Sequence, residues 1–232
     1  MFKRFLDRLT AGNILYFPGC MTSYVLKDLE ANYEQVLKQA GIEFIRVKEL
    51  EYCCGSPVLN AGFKKDFNDL VDKNLDVFKK YGVSKVVTNC PACYSTLSSN
   101  FGIRAEHVTQ TVWKNINKFK LNRFNEKITY HDPCHLGRYS NVYEEPRNIL
   151  KALGFEVVEF KLSRENSMCC GGGGNLKSNA PKTASRIAKM RLKDLQTKKV
   201  ITCCPMCYYQ LKENAPEGVE VLELSHVLLE NV

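Results

Sequence analysis

Five cysteines occur twice in the same order along this chain. Cys20, Cys53-Cys54 and Cys90-Pro91-Ala92-Cys93 return as Cys134, Cys169-Cys170 and Cys204-Pro205-Met206-Cys207, at offsets of 114, 116 and 114 residues. A repeat of that length divides the chain into two similar units. The expected organisation is a first half over residues 13–120, a second over 126–232 and a lead-in over 1–12, with a polar seam near 119–125. Cys203, the eleventh cysteine, falls opposite Asn89 and has no counterpart.

Each half reads as strands alternating with helices. Ile14–Phe17, Phe44–Val47 and Lys85–Thr88 are compact apolar runs expected to be buried strands. Between them, residues 23–39 and the stripe Phe67, Leu70, Val71, Leu75 and Phe78 have helical spacing, with Gly41 and Gly82 as stops. The second half repeats the order. Strands are expected at 127–130, 155–160, 200–202 and 219–224. Helices are expected at 147–153 and 180–195, and Ser225 is the expected cap of a short closing helix. Alternation of this kind predicts an α/β fold of two pseudo-symmetric parallel-sheet halves. In such sheets ligands gather beyond the carboxyl ends of the strands. Every cysteine group follows a predicted strand, so each half should deliver five sulfurs to one rim.

Five thiols at one place suit several chemistries. Structural zinc takes four ligands in a tetrahedron, which the Cys-X-X-Cys pairs would satisfy and the adjacent Cys-Cys would not. Soft sulfur ligands in excess of four favour an iron–sulfur cluster. Thiol–disulfide exchange at a helix N-terminus is a further reading of Cys-X-X-Cys. The run Gly171–Gly174 lacks the Lys-Ser/Thr of a phosphate loop. It reads as backbone passing close to a bulky group and offering N–H donors to sulfur, a role shared by Gly55, Gly171, Gly172 and Gly173. His131 and His135 flank Cys134 and are expected to support the site as hydrogen-bonding neighbours rather than ligands. His107 and His226, at similar places near the ends of the halves, read as structural. Arg138 and Lys177 are candidates for an anionic substrate, or simply solvated cations.

Composition narrows the setting. With 44% hydrophobic and 25% charged residues the chain has an ordinary globular balance. No apolar run approaches the roughly 18 residues of a membrane span. No signal core is apparent, so a cytoplasmic, reducing setting is expected, in which clustered cysteines bind metal or carry electrons. The net charge of +8 comes from scattered lysines. It reads as a solvated surface, with no nucleic-acid partner.

The doubled pattern of Cys, Cys-Cys-Gly and Cys-Pro-X-Cys resembles the cysteine-rich CCG domain family, over about residues 14–232. That family includes the catalytic subunits of heterodisulfide reductase and the iron–sulfur subunits of glycolate, lactate and glycerol-phosphate oxidoreductases. The resemblance implies two noncubane [4Fe-4S] clusters. One would be held by Cys20, Cys53, Cys54, Cys90 and Cys93, the other by Cys134, Cys169, Cys170, Cys204 and Cys207, with zinc in one site as the alternative. It implies a disulfide or thiol substrate cleaved or formed between the two by one-electron steps. No catalytic side chain is assigned. The ferredoxin-like motif of some relatives is missing from this sequence, which implies an iron–sulfur or flavin subunit as electron partner. Two other readings stay open: an electron-transfer module of a flavin-dependent hydroxy-acid oxidoreductase, and a zinc-stabilised interaction scaffold.

Overall fold

The computed structural model describes residues 12–47, 52–119, 121 and 124–230. All but Gly12 of the expected lead-in therefore lies outside the described residues, as do three positions of the expected seam.

Two parallel sheets organise the chain. The first runs β1 (Asn13–Tyr16), β2 (Val83–Thr88), β3 (Arg104–His107), in that spatial order. The second runs β5 (Glu156–Glu159), β4 (Lys127–Tyr130), β6 (Lys199–Thr202), β7 (Glu220–Glu223). Consecutive strand residues such as Val86-Val87, Ile128-Thr129-Tyr130 and Val200-Ile201-Thr202 are all buried. Strands covered on both faces need apolar or paired side chains at every position, which is why they read as unbroken runs rather than alternations.

The expected strand at 44–47 shrinks to a single parallel bridge, Ile45 with Leu15. It occupies the place that β5 fills in the other half. Beyond the bridge, Arg46 reaches Glu30 and Glu34 at 2.8 and 2.7 Å and turns the segment toward the neighbouring helix. Conversely, β3 is a strand that the apolar pattern misses. Its Arg-Ala-Glu-His sequence pairs with β2, where Lys85 meets Glu106 at 2.8 Å.

The helices follow the strands. They are α1 (Lys27–Gln39), α2 (Ser56–Asn60), α3 (Lys64–Lys80), α4 (Pro91–Asn100) and α5 (Val108–Lys114) in the first half. In the second they are α6 (Glu144–Ala152), α7 (Leu176–Asn179), α8 (Pro181–Leu192), α9 (Pro205–Glu213) and α10 (Leu224–Leu229). The helix expected from residue 23 starts later. Cys20 opens a wider π-helical turn, Met21–Val25, and Leu26 leaves helical geometry before α1 begins. The closing helix is capped by Glu223 rather than Ser225, whose N–H and hydroxyl both donate to the Glu223 carboxylate at 2.8 and 2.6 Å.

The halves meet through equivalent helices. α1 packs on α10, and α5 packs on α6, as a pseudo-twofold requires. One core joins Tyr16, Leu29, Tyr33, Val36 and Val112 of the first half to Ile128, Ile149, Leu150, Leu224 and Leu228 of the second. A separate core of Leu15, Phe67, Phe78, Val86 and Leu97 fills the outer face of the first sheet. His107 and Glu223 are the true equivalents at the strand ends. Both close capping boxes, so the likeness expected between His107 and His226 is displaced by three residues. No helix among the described residues is long and apolar enough to cross a membrane.

Candidate metal centre

Strand ends and helix starts assemble the cysteines. In the first half Cys20 lies beyond β1, and Cys90 is the N-cap of α4, directly after β2. Cys53 and Cys54 enter on the turn that opens α2. The thiols touch in sequence, with hydrogen bonds linking Cys20 to Cys53, Cys53 to Cys54, Cys54 to Cys93 and Cys93 to Cys90. The second half reproduces the chain of contacts: Cys134 to Cys169, Cys169 to Cys170, Cys170 to Cys207 and Cys207 to Cys204. All eleven thiols are free of disulfides.

In each pocket the first cysteine of the adjacent pair is primed to ionise, and in the first pocket the Cys93 thiol also draws Cys90 down. Cys53 is drawn down to about 3 by hydrogen bonds from the Cys20 and Cys54 thiols, opposed by burial and aided by the Gly55 amide. Cys169 falls to about 2 through Cys134, Cys170 and the Gly171 amide. Their neighbours move the other way. Cys20 and Cys134 are pushed up, first by donating to Cys53 and Cys169 and then by burial. Five sulfurs this close cannot all be thiolates unless something strongly positive lies among them. A group with several positive metal ions meets that need, and the soft donor set suits iron with sulfide.

The glycines after each Cys-Cys pair shape the pockets. Gly55 and Gly171 are equivalent and left-handed, with φ of 82° and 81°. A Cβ on Gly171 would sit 2.7 Å from the Ala184 carbonyl oxygen, and one on Gly55 would sit 2.6 Å from the Phe67 ring. Their amides donate to Cys169 and Cys53 Sγ at 3.3 and 3.4 Å, and Gly172 donates to Cys170 Sγ at 3.4 Å. Gly173 stands apart, with open space around it. Sequence reasoning misses Gly19, where a Cβ would approach Cys93 Sγ to 2.8 Å. Its place directly before Cys20 is the available signal.

The remaining candidates sort by their partners. Arg138 donates to the carbonyls of Ser167 and Glu165 at 2.5 and 3.3 Å. Lys177 pairs with Gln210 and Glu213. Arg138 holds a loop and Lys177 ties α7 to α9, so both are engaged within the protein. His135 is half-buried beside Tyr139, with Nδ1 lacking a protein partner. His131 is fully buried; burial, then nearby Arg191, keeps it neutral by lowering its pKa to about 3. One of its ring nitrogens lies within 4.8 Å of the sulfurs of Cys170 and Cys207. Beside it runs a buried ionic network that the sequence does not reveal. Arg147 forks onto Asp132 at 2.7 and 2.9 Å and onto Glu159 at 2.6 and 2.8 Å.

The two pockets are neighbours. Asn175, on the glycine-rich loop of the second, donates to the Pro57 carbonyl on the Cys-Cys-Gly turn of the first at 3.1 Å. α9, which Cys204 caps, packs on the π-helical turn that Cys20 opens.

A doubled parallel α/β unit with a five-thiol pocket at each rim defines a class of cysteine-rich domain proteins. The chain belongs to the cysteine-rich CCG domain family, whose model matches residues 14–98 and 128–212. Among its relatives is an uncharacterized iron–sulfur protein of Methanocaldococcus jannaschii, 34% identical over 87% of this chain and 41% of its own length. A component of the dihydromethanophenazine:CoB–CoM heterodisulfide reductase of Methanosarcina acetivorans is 34% identical over 91% of this chain and 55% of its own. A component of the fumarate reductase (CoM/CoB) of Methanothermobacter marburgensis is 31% identical over 92% and 44%. The chain thus spans about half the length of these relatives, which are named as an iron–sulfur protein and as subunits of oxidoreductases.

Proposed function

We propose that this chain is an iron–sulfur oxidoreductase subunit that cleaves or forms a disulfide, or acts on a similar thiol substrate. Cys20, Cys53, Cys54, Cys90 and Cys93 hold one [4Fe-4S] cluster of noncubane type, and Cys134, Cys169, Cys170, Cys204 and Cys207 hold the other. When bound, such clusters supply one-electron chemistry. The observation that carries the reading is the pair of five-thiol chains of contact at neighbouring sheet rims.

The protein's own residues have defined tasks. The strand ends fix the sulfurs. The amides of Gly55, Gly171 and Gly172 donate to thiolates and stabilise their charge. The buried cores behind the pockets keep water from the sulfurs on the protein side. Asn175 and Pro57 join the loops of the two pockets, which supports a substrate bound between them. Reduction takes two electrons and two protons per disulfide and releases two thiols; formation runs in reverse. A partner protein carrying iron–sulfur or flavin groups supplies or removes the electrons.

The test is a disulfide-reduction assay on the anaerobically purified chain with a reduced viologen as donor. Turnover of a disulfide supports the proposal. A second reading is favoured by the fumarate reductase relative, whose name points to a larger redox assembly. In that reading the chain only passes electrons. Absence of turnover with every disulfide tried, together with rapid reduction by a co-purified flavoprotein, would select it.

A further inference from the structure

A histidine beside two cysteine sulfurs is ordinarily a candidate third ligand, and His131 has that position next to Cys170 and Cys207. Its bond to Arg191 argues against ligation. Arg191 Nε–H donates to His131 Nδ1 at 3.2 Å. A guanidinium has no acceptor to offer in return. Nδ1 must therefore carry the lone pair, and the proton of the neutral ring sits on Nε2. A metal-bound histidine has the reverse arrangement, with its free nitrogen giving a proton to a carboxylate, carbonyl or water. Arg191 is itself fixed, donating to Leu162 O at 2.8 Å and Ser167 Oγ at 3.2 Å, with its guanidinium 3.5 Å from the centre of the Phe160 ring.

His131 Nε2 is then a buried N–H, and no protein acceptor meets it. Buried donors of this kind are rare and call for a partner. The ring borders the second cysteine pocket, with one of its nitrogens within 4.8 Å of the Cys170 and Cys207 sulfurs. Among the described residues the first pocket has no such pair. At the repeat offsets His131 falls opposite Phe17 and Arg191 opposite Leu75, both of them apolar and packed in the core of the first sheet.

We infer that His131, its tautomer set by Arg191, donates an Nε2–H hydrogen bond to the sulfur-bound group of the second pocket and makes that pocket the more electron-accepting of the two. This rests on the cluster reading above. A hydrogen bond to sulfur and a buried cation nearby both favour the reduced, more negative state of such a group. Electrons entering at the first pocket would run to the second, which gives the pseudo-symmetric pair a direction.

The experiment compares the parent chain, His131→Phe and His131→Gln, purified anaerobically with their iron and titrated by EPR-monitored potentiometry. His131→Phe installs the first pocket's residue. It is expected to lower one midpoint potential and leave the other unmoved. His131→Gln restores an N–H donor and is expected to recover most of that shift. Absence of the shifted signal from Cys170→Ser assigns it to the second pocket. Pulsed EPR on protein labelled with 15N-histidine gives an independent reading that serves even if His131→Phe does not fold. The parent should show the weak coupling of a hydrogen-bonding nitrogen. A strong coupling typical of a coordinated nitrogen, loss of one cluster from folded His131→Phe, or unmoved potentials in a fully loaded variant would each overturn the inference and leave the cluster reading standing. A chain that takes up no iron overturns both.

Discussion

The hydroxyl of Tyr130 lies 3.0 Å from Cys203 Sγ, deep in the shared core. The equivalent pair in the first half is Tyr16 and Asn89, whose side-chain oxygen accepts from the tyrosine at 3.0 Å. Cys203 therefore replaces an amide as the partner of a buried tyrosine and is no member of the sulfur pocket. Cys203→Asn should keep the full iron content and an unchanged EPR spectrum, whereas iron loss would place Cys203 among the ligands.

Removing one sulfur from the middle of each contact chain separates the pockets. Cys54→Ser should cost the first pocket its metal and Cys170→Ser the second. Each variant should keep about half of the iron, as expected for two similar clusters. Loss of all iron from either variant would mean a single shared group.

Backbone geometry makes Gly171 irreplaceable and Gly173 dispensable. An alanine at position 171 meets both the left-handed φ of 81° and a carbonyl oxygen 2.7 Å away. The conformational part alone costs about 1–2 kcal/mol, and thermal unfolding should show at least that loss. Gly173→Ala, with open space around it, should stay within about 0.5 kcal/mol of the parent.

Arg147 neutralises buried Asp132 just ahead of Cys134. Arg147→Met would leave that carboxylate uncompensated, a change that typically costs about 3–5 kcal/mol. Chelators should then strip iron from the second pocket faster than from the first. Equal rates of loss would show that the network does not support the pocket.

Glu106 gives a pH dependence far from the cysteines. Burial opposes its charge, but hydrogen bonds from Lys85 and Lys114 outweigh that and hold its pKa down to about 2, from an ordinary value of 4.5. A carboxylate lowered on folding contributes stability that is fully present above pH 4.5 and lost as the pH falls toward 2. Glu106→Gln should therefore reduce stability at pH 7 by about 1–3 kcal/mol. It should also make the parent's decline between pH 4.5 and 2 shallower. An unchanged acid slope would show that the lysines do not hold this charge.

Most of the sheet is legible in the sequence because strands buried on both faces must be apolar runs, and Cys20, Cys90, Cys134 and Cys204 follow β1, β2, β4 and β6. β3 is not, because Glu106 and His107 are buried only by virtue of Lys85 across the ladder and the cap on α5. The same limit hides Arg147 and Arg191. A cation in the interior looks like a surface residue until its partners, distant in sequence, are known. Ser225 reads as a cap because its hydroxyl sits at the right place, yet the acceptor is the carboxylate two residues earlier. The cysteine pattern itself speaks from sequence alone, since few chains need ten thiols at matched offsets.

Two metal-filled sulfur pockets underlie the proposed chemistry. Their sharpest test is elemental analysis of iron, acid-labile sulfide and zinc in the chain purified without oxygen. About eight irons and a comparable amount of sulfide per chain are expected. Zinc in place of iron, with no sulfide, would contradict the cluster reading.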